Sequence, residues 1–366
     1  MSSKLKIQPL SEWINTGDKP LIISGPCSAE SEFQLLKTAH QIAKISQVNV
    51  FRAGIWKPRT RPGEFEGTGE QGLKWLKKVK KETGLLTTVE VADSNHVELA
   101  LKHDVDILWI GARTVVNPFS VQAIADAVTG IDIPIMVKNP INPDIKLWIG
   151  AIERFNAVGI NKIIAIHRGF HYFEKSIFRN APMWEIPIEL KRILPSLPII
   201  VDPSHICGRR ELIESVSQKA LDLEMDGLMI ESHYDPKIAL TDANQQITPN
   251  VLDKLLNKLV VRHVKGNFHF QHKLEELRTE IDKLDGELLQ ILAKRMDLID
   301  EIGEYKKEND ITILQMKRWV GIIKDRLSIG THMGLDSTFM KKLLNLIHKE
   351  SIQRQENIFR KKELID

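Results

Sequence analysis

Short apolar runs alternate with amphipathic stretches through the first 260 residues. The runs are PLIISGPCS from Pro20, VNVFRAG from Val48, GLLTTVEV from Gly84, DILWIGAR from Asp106, IPIMVKNP from Ile133, NKIIAIHRG from Asn161, LPIIVDPSH from Leu197 and DGLMIESH from Asp226. Near-continuous apolar runs of this length suit strands buried on both faces of a parallel sheet, which have no solvent side to make polar. Between them, SEFQLLKTAHQIAKI, SVQAIADAV and KLWIGAIERFNAV place apolar residues at helical spacing. Each gap is long enough for a crossover helix. Eight strand–helix units in about 250 residues match a closed (β/α)8 TIM barrel. A doubly wound open sheet rarely gives so even a count. An α/β barrel is therefore predicted over residues 1–262.

The pattern changes near Val261. VRHVKGNFHFQHK has no clear periodicity, so residues 263–272 read as a linker. From Lys273 to about Glu308 there is no proline, and only Gly286 and Gly303 interrupt a helical pattern. Apolar residues recur at Leu274, Leu277, Ile281, Leu284, Leu288, Leu292, Met296, Ile299 and Ile302. Such a helix runs about 50 Å at 1.5 Å per residue. A unit of ~100 residues cannot cover that length alone, so a second copy is expected along it, giving a homodimer or higher homo-oligomer. Two more helices are predicted, at about Met316–Ile329 and Ser337–Arg360, the latter capped at Asp336 or Ser337. Residues 273–366 thus read as an all-helical domain that dimerises.

Composition narrows the class. Of 366 residues, 42% are apolar and 27% charged, which excludes wholesale disorder. A net charge of +3 gives no electrostatic reason to expect nucleic acid or a membrane surface as partner. Two cysteines cannot build a disulfide framework. No apolar run reaches the length of about 18 residues that a transmembrane helix needs. The leader MSSKLKIQPLSEW has no signal-peptide core, so a cytoplasmic protein is expected. The first strand begins by Leu21, so no N-terminal regulatory domain is expected.

The ends of the apolar runs carry the chemistry. Cys27, Glu90, Arg113, Lys138, Arg168, Asp202 with His205, and Glu231 end or closely follow seven of the runs. The remaining run carries Arg52 and leads into Lys57 and Arg59. In a TIM barrel the C-terminal strand ends converge on one mouth. Six cations there, Arg52, Lys57, Arg59, Arg113, Lys138 and Arg168, require anions to neutralise them. Arginine forks suit phosphate and carboxylate, so a ligand with several negative charges is implied. One or two of these arginines could instead make structural ion pairs. Cys27, His205 and Glu231 follow strands one, seven and eight, which are neighbours in a closed barrel. Asp242 can fold back over the same mouth. Together they form a mixed sulfur, nitrogen and oxygen set for Mn, Fe, Co or Zn. A packed thiol and a strand-end hydrogen-bonding histidine are the plainer readings of Cys27 and His205. Cys207 is a competing thiol two residues beyond His205.

On the helical side, Arg295 and Lys306 lie ~20° apart around one helix and share a face with Ile299 and Ile302. Snorkelling at a coiled-coil edge would account for both. Arg278 lies about 26 Å from Arg295 along the helix, so it can serve only the pocket of a partner helix.

These motifs match known families. GPCS at 25–28, KPRT at 57–60, GAR at 111–113, HRG at 167–169, DPSH…GRR at 202–210, and E-x-H followed by ALTD at 231–242 occur in order. Together they resemble 3-deoxy-D-arabino-heptulosonate 7-phosphate (DAHP) synthase of the type I β group, over about residues 10–260. The related 3-deoxy-octulosonate 8-phosphate synthases are the alternative, but they carry a different motif where KPRT stands. The resemblance implies condensation of phosphoenolpyruvate with erythrose 4-phosphate, releasing phosphate. It implies a divalent metal, Mn2+ first, on Cys27, His205, Glu231 and Asp242. It implies that Arg52, Lys57, Arg113, Lys138 and Arg168 hold phosphoenolpyruvate, and that Arg59 and Thr60 contact erythrose 4-phosphate. Lys57, or a metal-bound water, would protonate the developing alkoxide, and Glu90 would order the water that attacks C2. One departure is Lys138-Asn139-Pro140, where many relatives have Lys-Arg-Gly.

LEELRTEIDKLDGELLQILAKR…EIGEYK, then LQMKRW, then ESIQRQ, resembles the all-helical chorismate mutases over about residues 272–356. That family rearranges chorismate to prephenate. By position, Arg278 from the other chain of a dimer would join Arg295 and Arg318 on the substrate carboxylates. Lys306 and Gln355 would meet the ether oxygen, and Ser351 matches a further site position. Gln315 stands where Asp is common, and Trp319 where a Glu binds the substrate hydroxyl. Joining a first-step enzyme to a later-step one suggests feedback control of the synthase by a ligand of the helical domain, such as prephenate.

Overall fold

The computed structural model describes residues 5–17, 19–59, 63–173, 176–262 and 268–360. The chain divides into two compact units, Met1–Arg262 and His263–Asp366.

The first unit is a closed barrel of eight parallel strands in sequential order. The strands are β1 (Leu21–Gly25), β2 (Val50–Arg52), β3 (Leu86–Val91), β4 (Ile107–Ile110), β5 (Ile135–Lys138), β6 (Ile163–His167), β7 (Ile199–Val201) and β8 (Gly227–Glu231). β1 closes the ring against β8, with Leu21 opposite Gly227 and Gly25 opposite Glu231. Around it run α1 (Glu32–Ile42), α2 (Glu70–Thr83), α3 (Ser94–Lys102), α4 (Ala112–Val115), α5 (Pro118–Ala127), α6 (Ile145–Ala157), α7 (Glu185–Ile193), α8 (Pro203–Cys207), α9 (Ile213–Asp222) and α10 (Pro249–Lys258). Many of these helices start on a side-chain cap. Ser31, Asp93, Asn117, Asp144, Asp202 and Thr248 each accept a backbone N–H from the first turn.

The strands are mostly apolar because both their faces are covered, by different cores. Leu21, Ile23, Ile107 and Trp109 point into the barrel, while Ile22, Leu108 and Ile110 face the helices. Ile14 is buried with the interior set, and Leu10 and Trp13 pack against it. The inward Trp109 forms the floor of the mouth: the Arg52 guanidinium lies 5.0 Å and Lys138 Nζ 5.9 Å from its ring centre.

The second unit contains α11 (Phe268–Glu308), α12 (Met316–His332) and α13 (Ser337–Arg360). At 41 residues, α11 is about 60 Å long. It begins at Phe268, so residues 268–272 of the expected linker are helical. The physical reason is that Gly266 is the last strong helix breaker before Gly286. Asp336 Oδ1 accepts the N–H of Phe339 and caps α13. Gly303, which reads in sequence as a weak point, is a packing device. A Cβ there would stand 2.8 Å from Ile358 Cδ1, so a larger residue would make the Ile358 side chain shift. In the single chain, α11 leaves Leu277, Ile281, Leu284, Leu288 and Ile291 between 46% and 63% exposed. No helix among the described residues is long and apolar enough to cross a membrane.

Candidate active sites

The barrel mouth holds a cavity of about 420 Å³. Six cations line it: Lys57, Arg59, Arg113, Lys138, Arg168 and Arg179. Among the described residues, three carboxylates do so, those of Glu64, Glu90 and Asp242, with His205 beside them. Thr60 lies outside the described residues.

Below the cavity, charges are paired among themselves. Arg52 is 1% exposed and does not line the cavity; its Nη2 lies 3.1 Å from Glu231 Oε1. Two of its nitrogens, Nε and Nη1, find no partner among the described residues. Lys138 Nζ donates to Asp202 Oδ2 at 2.9 Å, and both groups are buried. Asp202 also caps α8 through the His205 N–H and lies 2.8 Å from His205 Nδ1. Burial opposes its ionisation, but His205 and Lys138 hold it well below the usual carboxylate range.

Cys27, Glu231 and Asp242 bring one donor atom each to within 4.8 Å of the others. His205 stands beside this trio, with Nε2 3.8 Å from Glu231 Oε1. Glu231 is fully buried, and its Oε1 accepts no hydrogen bond among the described residues. Burial opposes ionisation of Glu231, yet its pKa is held below the ordinary value with Arg52 beside it. Asp242 has a left-handed backbone, φ 47°, which Asp tolerates better than most residues. Its Oδ1 accepts from Arg179 at 2.8 Å, and its Oδ2 is 3.4 Å from Cys27 Sγ. Burial pushes the Cys27 thiol up to about 12, with Glu231 adding to it. Burial also lowers His205, favouring the neutral imidazole that ligates metals. A buried thiol, two carboxylates and a neutral imidazole, with one carboxylate oxygen free of hydrogen bonds among the described residues, fit a borderline divalent cation. Cys207 takes no part in the trio: it packs into the core between barrel and helices.

Lys57 Nζ donates to Cys27 O at 2.9 Å and lies 3.0 Å from Cys27 Sγ. Burial would lower its pKa, but Cys27, Glu231 and Glu90 hold it above the ordinary value. Glu90 Oε2 accepts from the Trp109 indole at 2.9 Å. A Cβ on Gly111 would sit 2.0 Å from Glu90 Oε1, so the glycine of the GAR motif makes room for this carboxylate. Arg59 Nε is tied to Phe65 O and Arg113 Nη1 to Pro58 O, which fixes both forks at the rim. Arg168 Nη1 donates to Asn180 Oδ1 at 2.8 Å. Burial, with Arg179 and Arg113 nearby, brings Arg168 down to about 10 although Asp202 opposes this.

Two features were not read from the sequence. Arg179 follows β6 in a segment without periodicity, yet it lines the cavity. Asn139, the departure in the fifth loop, is fully buried. Its Oδ1 accepts the Arg168 N–H at 2.7 Å, and its Nδ2 donates to Gly169 O at 2.8 Å. The side chain thus pins the loop that carries Arg168.

In the helical unit, Arg295 Nη1 donates to Ser351 Oγ at 2.8 Å. Gln355 is 5% exposed; its Nε2 donates to Ser351 O, and its Oε1 finds no donor among the described residues. Lys306 Nζ donates to Ile313 O at 2.6 Å. Partial burial lowers both Arg295 and Lys306. The fold therefore joins Arg295, Ser351 and Gln355 directly. Arg318 is exposed, and Arg278 is 59% exposed and paired with Glu275. Trp319 stacks on His348 with ring centres 3.6 Å apart.

Comparison with known proteins agrees with both halves. The profile of the DAHP synthetase I family matches residues 4–266, and that of chorismate mutase type II matches residues 277–356. The phospho-2-dehydro-3-deoxyheptonate aldolase of Thermotoga maritima is 32% identical over 238 residues, covering 65% of this chain and 68% of that protein. The 2-dehydro-3-deoxyphosphooctonate aldolase of Geotalea daltonii is 29% identical, covering 66% of this chain and 92% of its own length. A solved structure of the Thermotoga maritima phospho-2-dehydro-3-deoxyheptonate aldolase (DAHP synthase) aligns with a TM-score of 0.59 and 29% identity. It covers 70% of this chain and 76% of that one. The chain belongs to the DAHP synthetase I family and carries a chorismate mutase of type II at its C-terminal end. It is a bifunctional enzyme: it condenses phosphoenolpyruvate with erythrose 4-phosphate to DAHP, and it rearranges chorismate to prephenate.

Proposed function

We propose a residue-level account of the two activities, with residues 1–262 as the synthase and 273–366 as the mutase. The observation that supports it most is the mouth cavity, where six cations converge beside the Cys27, Glu231 and Asp242 trio. Phosphoenolpyruvate and erythrose 4-phosphate repel each other, and a fixed cationic cavity offsets that repulsion while holding them in attack geometry. Lys57, Arg113, Lys138 and Arg168 hold the phosphate and carboxylate of phosphoenolpyruvate, with Arg52 bracing the floor beneath them. Arg59 and Thr60 hold erythrose 4-phosphate. Cys27, His205, Glu231 and Asp242 hold the divalent metal, Mn2+ in preference to Fe, Co or Zn. When bound, the metal supplies Lewis-acid polarisation of the aldehyde oxygen. Lys57, already charged and tethered to Cys27 O, gives its Nζ proton to the developing alkoxide. Glu90, anchored by the Trp109 indole, orients the water that attacks C2.

In the mutase, Arg295 and Arg318 bind the chorismate carboxylates, with Arg278 reaching in from a second copy. The half-exposed stripe Leu277, Ile281, Leu284 and Leu288 supports that homodimer, since burying it removes a large apolar area from water. Lys306 and Gln355 meet the ether oxygen as the C–O bond breaks, and Ser351 keeps Arg295 aimed. To donate there, the Gln355 amide turns over and gives up its bond to Ser351 O. Prephenate bound in the helical unit lowers synthase turnover. A cytoplasmic location suits the chemistry, because a reducing compartment keeps Cys27 a free thiol.

Steady-state assays of both reactions on the full-length protein test this account. Chelation is expected to abolish DAHP formation and Mn2+ to restore it, with chorismate turnover unchanged. Synthase activity that survives chelation removes the metal from the account. A synthase rate indifferent to saturating prephenate removes the feedback.

A further inference from the structure

The segment after β8 carries two adjacent glutamines that no motif called attention to. Gln245 is 1% exposed and Gln246 0%. Gln245 Nε2 donates to Glu231 Oε2 at 2.7 Å, and its Oε1 accepts from Arg179 Nη1 at 2.8 Å. The same Arg179 nitrogen donates to Asp242 Oδ1 at 2.8 Å. Gln246 Oε1 accepts the backbone N–H of Cys27 at 3.0 Å, and its Nε2 donates to Thr241 O at 2.8 Å. Each amide therefore holds one residue of the trio with one end and is itself held at the other.

The pattern of bonded and unbonded oxygens has a direction. On Glu231, Oε2 accepts from Gln245, while Oε1 accepts no hydrogen bond among the described residues and lies 3.1 Å from Arg52 Nη2. On Asp242, Oδ1 accepts from Arg179, while Oδ2 lies 3.4 Å from Cys27 Sγ. A carboxylate bonded through one oxygen loses its freedom to rotate and presents the other. Hydrogen bonds of this kind orient metal-binding groups and set their basicity.

We propose that Gln245 and Gln246, with Arg179, are positioning residues for a divalent cation held by Cys27, Glu231 and Asp242. Gln245 sets the Glu231 carboxylate and anchors Arg179 against Asp242, and Gln246 sets the backbone that carries Cys27. The inference rests on the metal-site reading above.

Mn2+ titration of the metal-free, full-length protein, with free Mn2+ followed by its electron paramagnetic resonance signal, tests it. Gln245→Met removes both bonds, while Gln245→Glu keeps the volume and the Arg179 contact but removes the donor to Glu231. Both are expected to weaken Mn2+ binding about 10–100-fold. Should Gln245→Met fail to fold, the Glu variant carries the test alone. For Gln246 the readout is the cobalt–thiolate absorption on Co2+ titration. Gln246→Met is expected to weaken it, and Gln246→Glu, which retains the acceptor for the Cys27 N–H, to preserve it. Mn2+ affinity of Gln245→Glu within twofold of the parent overturns the proposal while leaving the metal site intact. A parent protein that binds neither ion overturns the metal-site reading itself.

Discussion

The two units assemble their sites differently. At the barrel mouth, residues from strands far apart in sequence meet within one chain, and charges find partners there: Arg52 with Glu231 and Lys138 with Asp202 in the interior, and the half-exposed Arg179 with Asp242. A closed sheet has no free edge, so each strand end is held by two neighbours. In the helical unit only Arg295, Ser351 and Gln355 are joined, while Arg278 and Arg318 stand in solvent beside an uncovered apolar stripe. A barrel organises a site by closing on itself; three helices organise one fully when another surface covers them.

The largest separation between the two comes from the thiol. Cys27→Ala is expected to lower DAHP formation about 10³-fold, given the several kcal/mol that metal catalysis contributes. Chorismate turnover should not change, and paired assays on one preparation check this. The mirror experiment is Arg295→Ala. It should cost about 10²–10³-fold in chorismate turnover, the usual loss on removing one donor to developing charge, and leave DAHP formation intact. A loss of both activities in either variant would break the independence of the sites.

Dependence on a second copy is sharpened by Leu284→Lys with Leu288→Lys. Each buried leucine contributes ~1.5–3 kcal/mol, so the dimer dissociation constant should rise at least about 10²-fold. Sedimentation should then show monomers, with chorismate turnover falling as protein is diluted. An unchanged sedimentation profile would assign the stripe elsewhere.

The smallest effect concerns the barrel alone. Burial pushes His167 down to about 3, so the folded form keeps it neutral. The unfolded chain takes up this proton near pH 6.5. Between those values the unfolded state binds more protons, so stability falls as pH drops from about 6.5 toward 3, by at most about 1.4 kcal/mol per pH unit. His167→Gln should flatten that dependence, as read from urea midpoints of the barrel transition at pH 7 and pH 5. Parallel slopes in parent and variant would show that His167 titrates normally.

Much of the barrel was legible because most strands are buried on both faces and write a near-continuous apolar run. The strand-end chemistry was legible for the same reason, since a run's last residue marks the mouth. Arg179, Asn139 and the two glutamines were not, because they lie in irregular segments where no period reports their direction. Arg52 was read as one more ligand-facing cation. Its pairing with Glu231 depends on β2 and β8 flanking β1, and that adjacency belongs to barrel closure.

By itself, then, the sequence determined where most strands and helices form, which strand ends carry charged side chains, and which helix carries an unbroken apolar stripe. These follow from local periodicity and from residue type at the ends of elements. Only the tertiary structure decided which charges neutralise one another, which carboxylate oxygen is left unbonded, and which loop side chains hold the site. Those outcomes depend on distances of a few ångströms between residues as much as 219 positions apart, and closure of the sheet sets them.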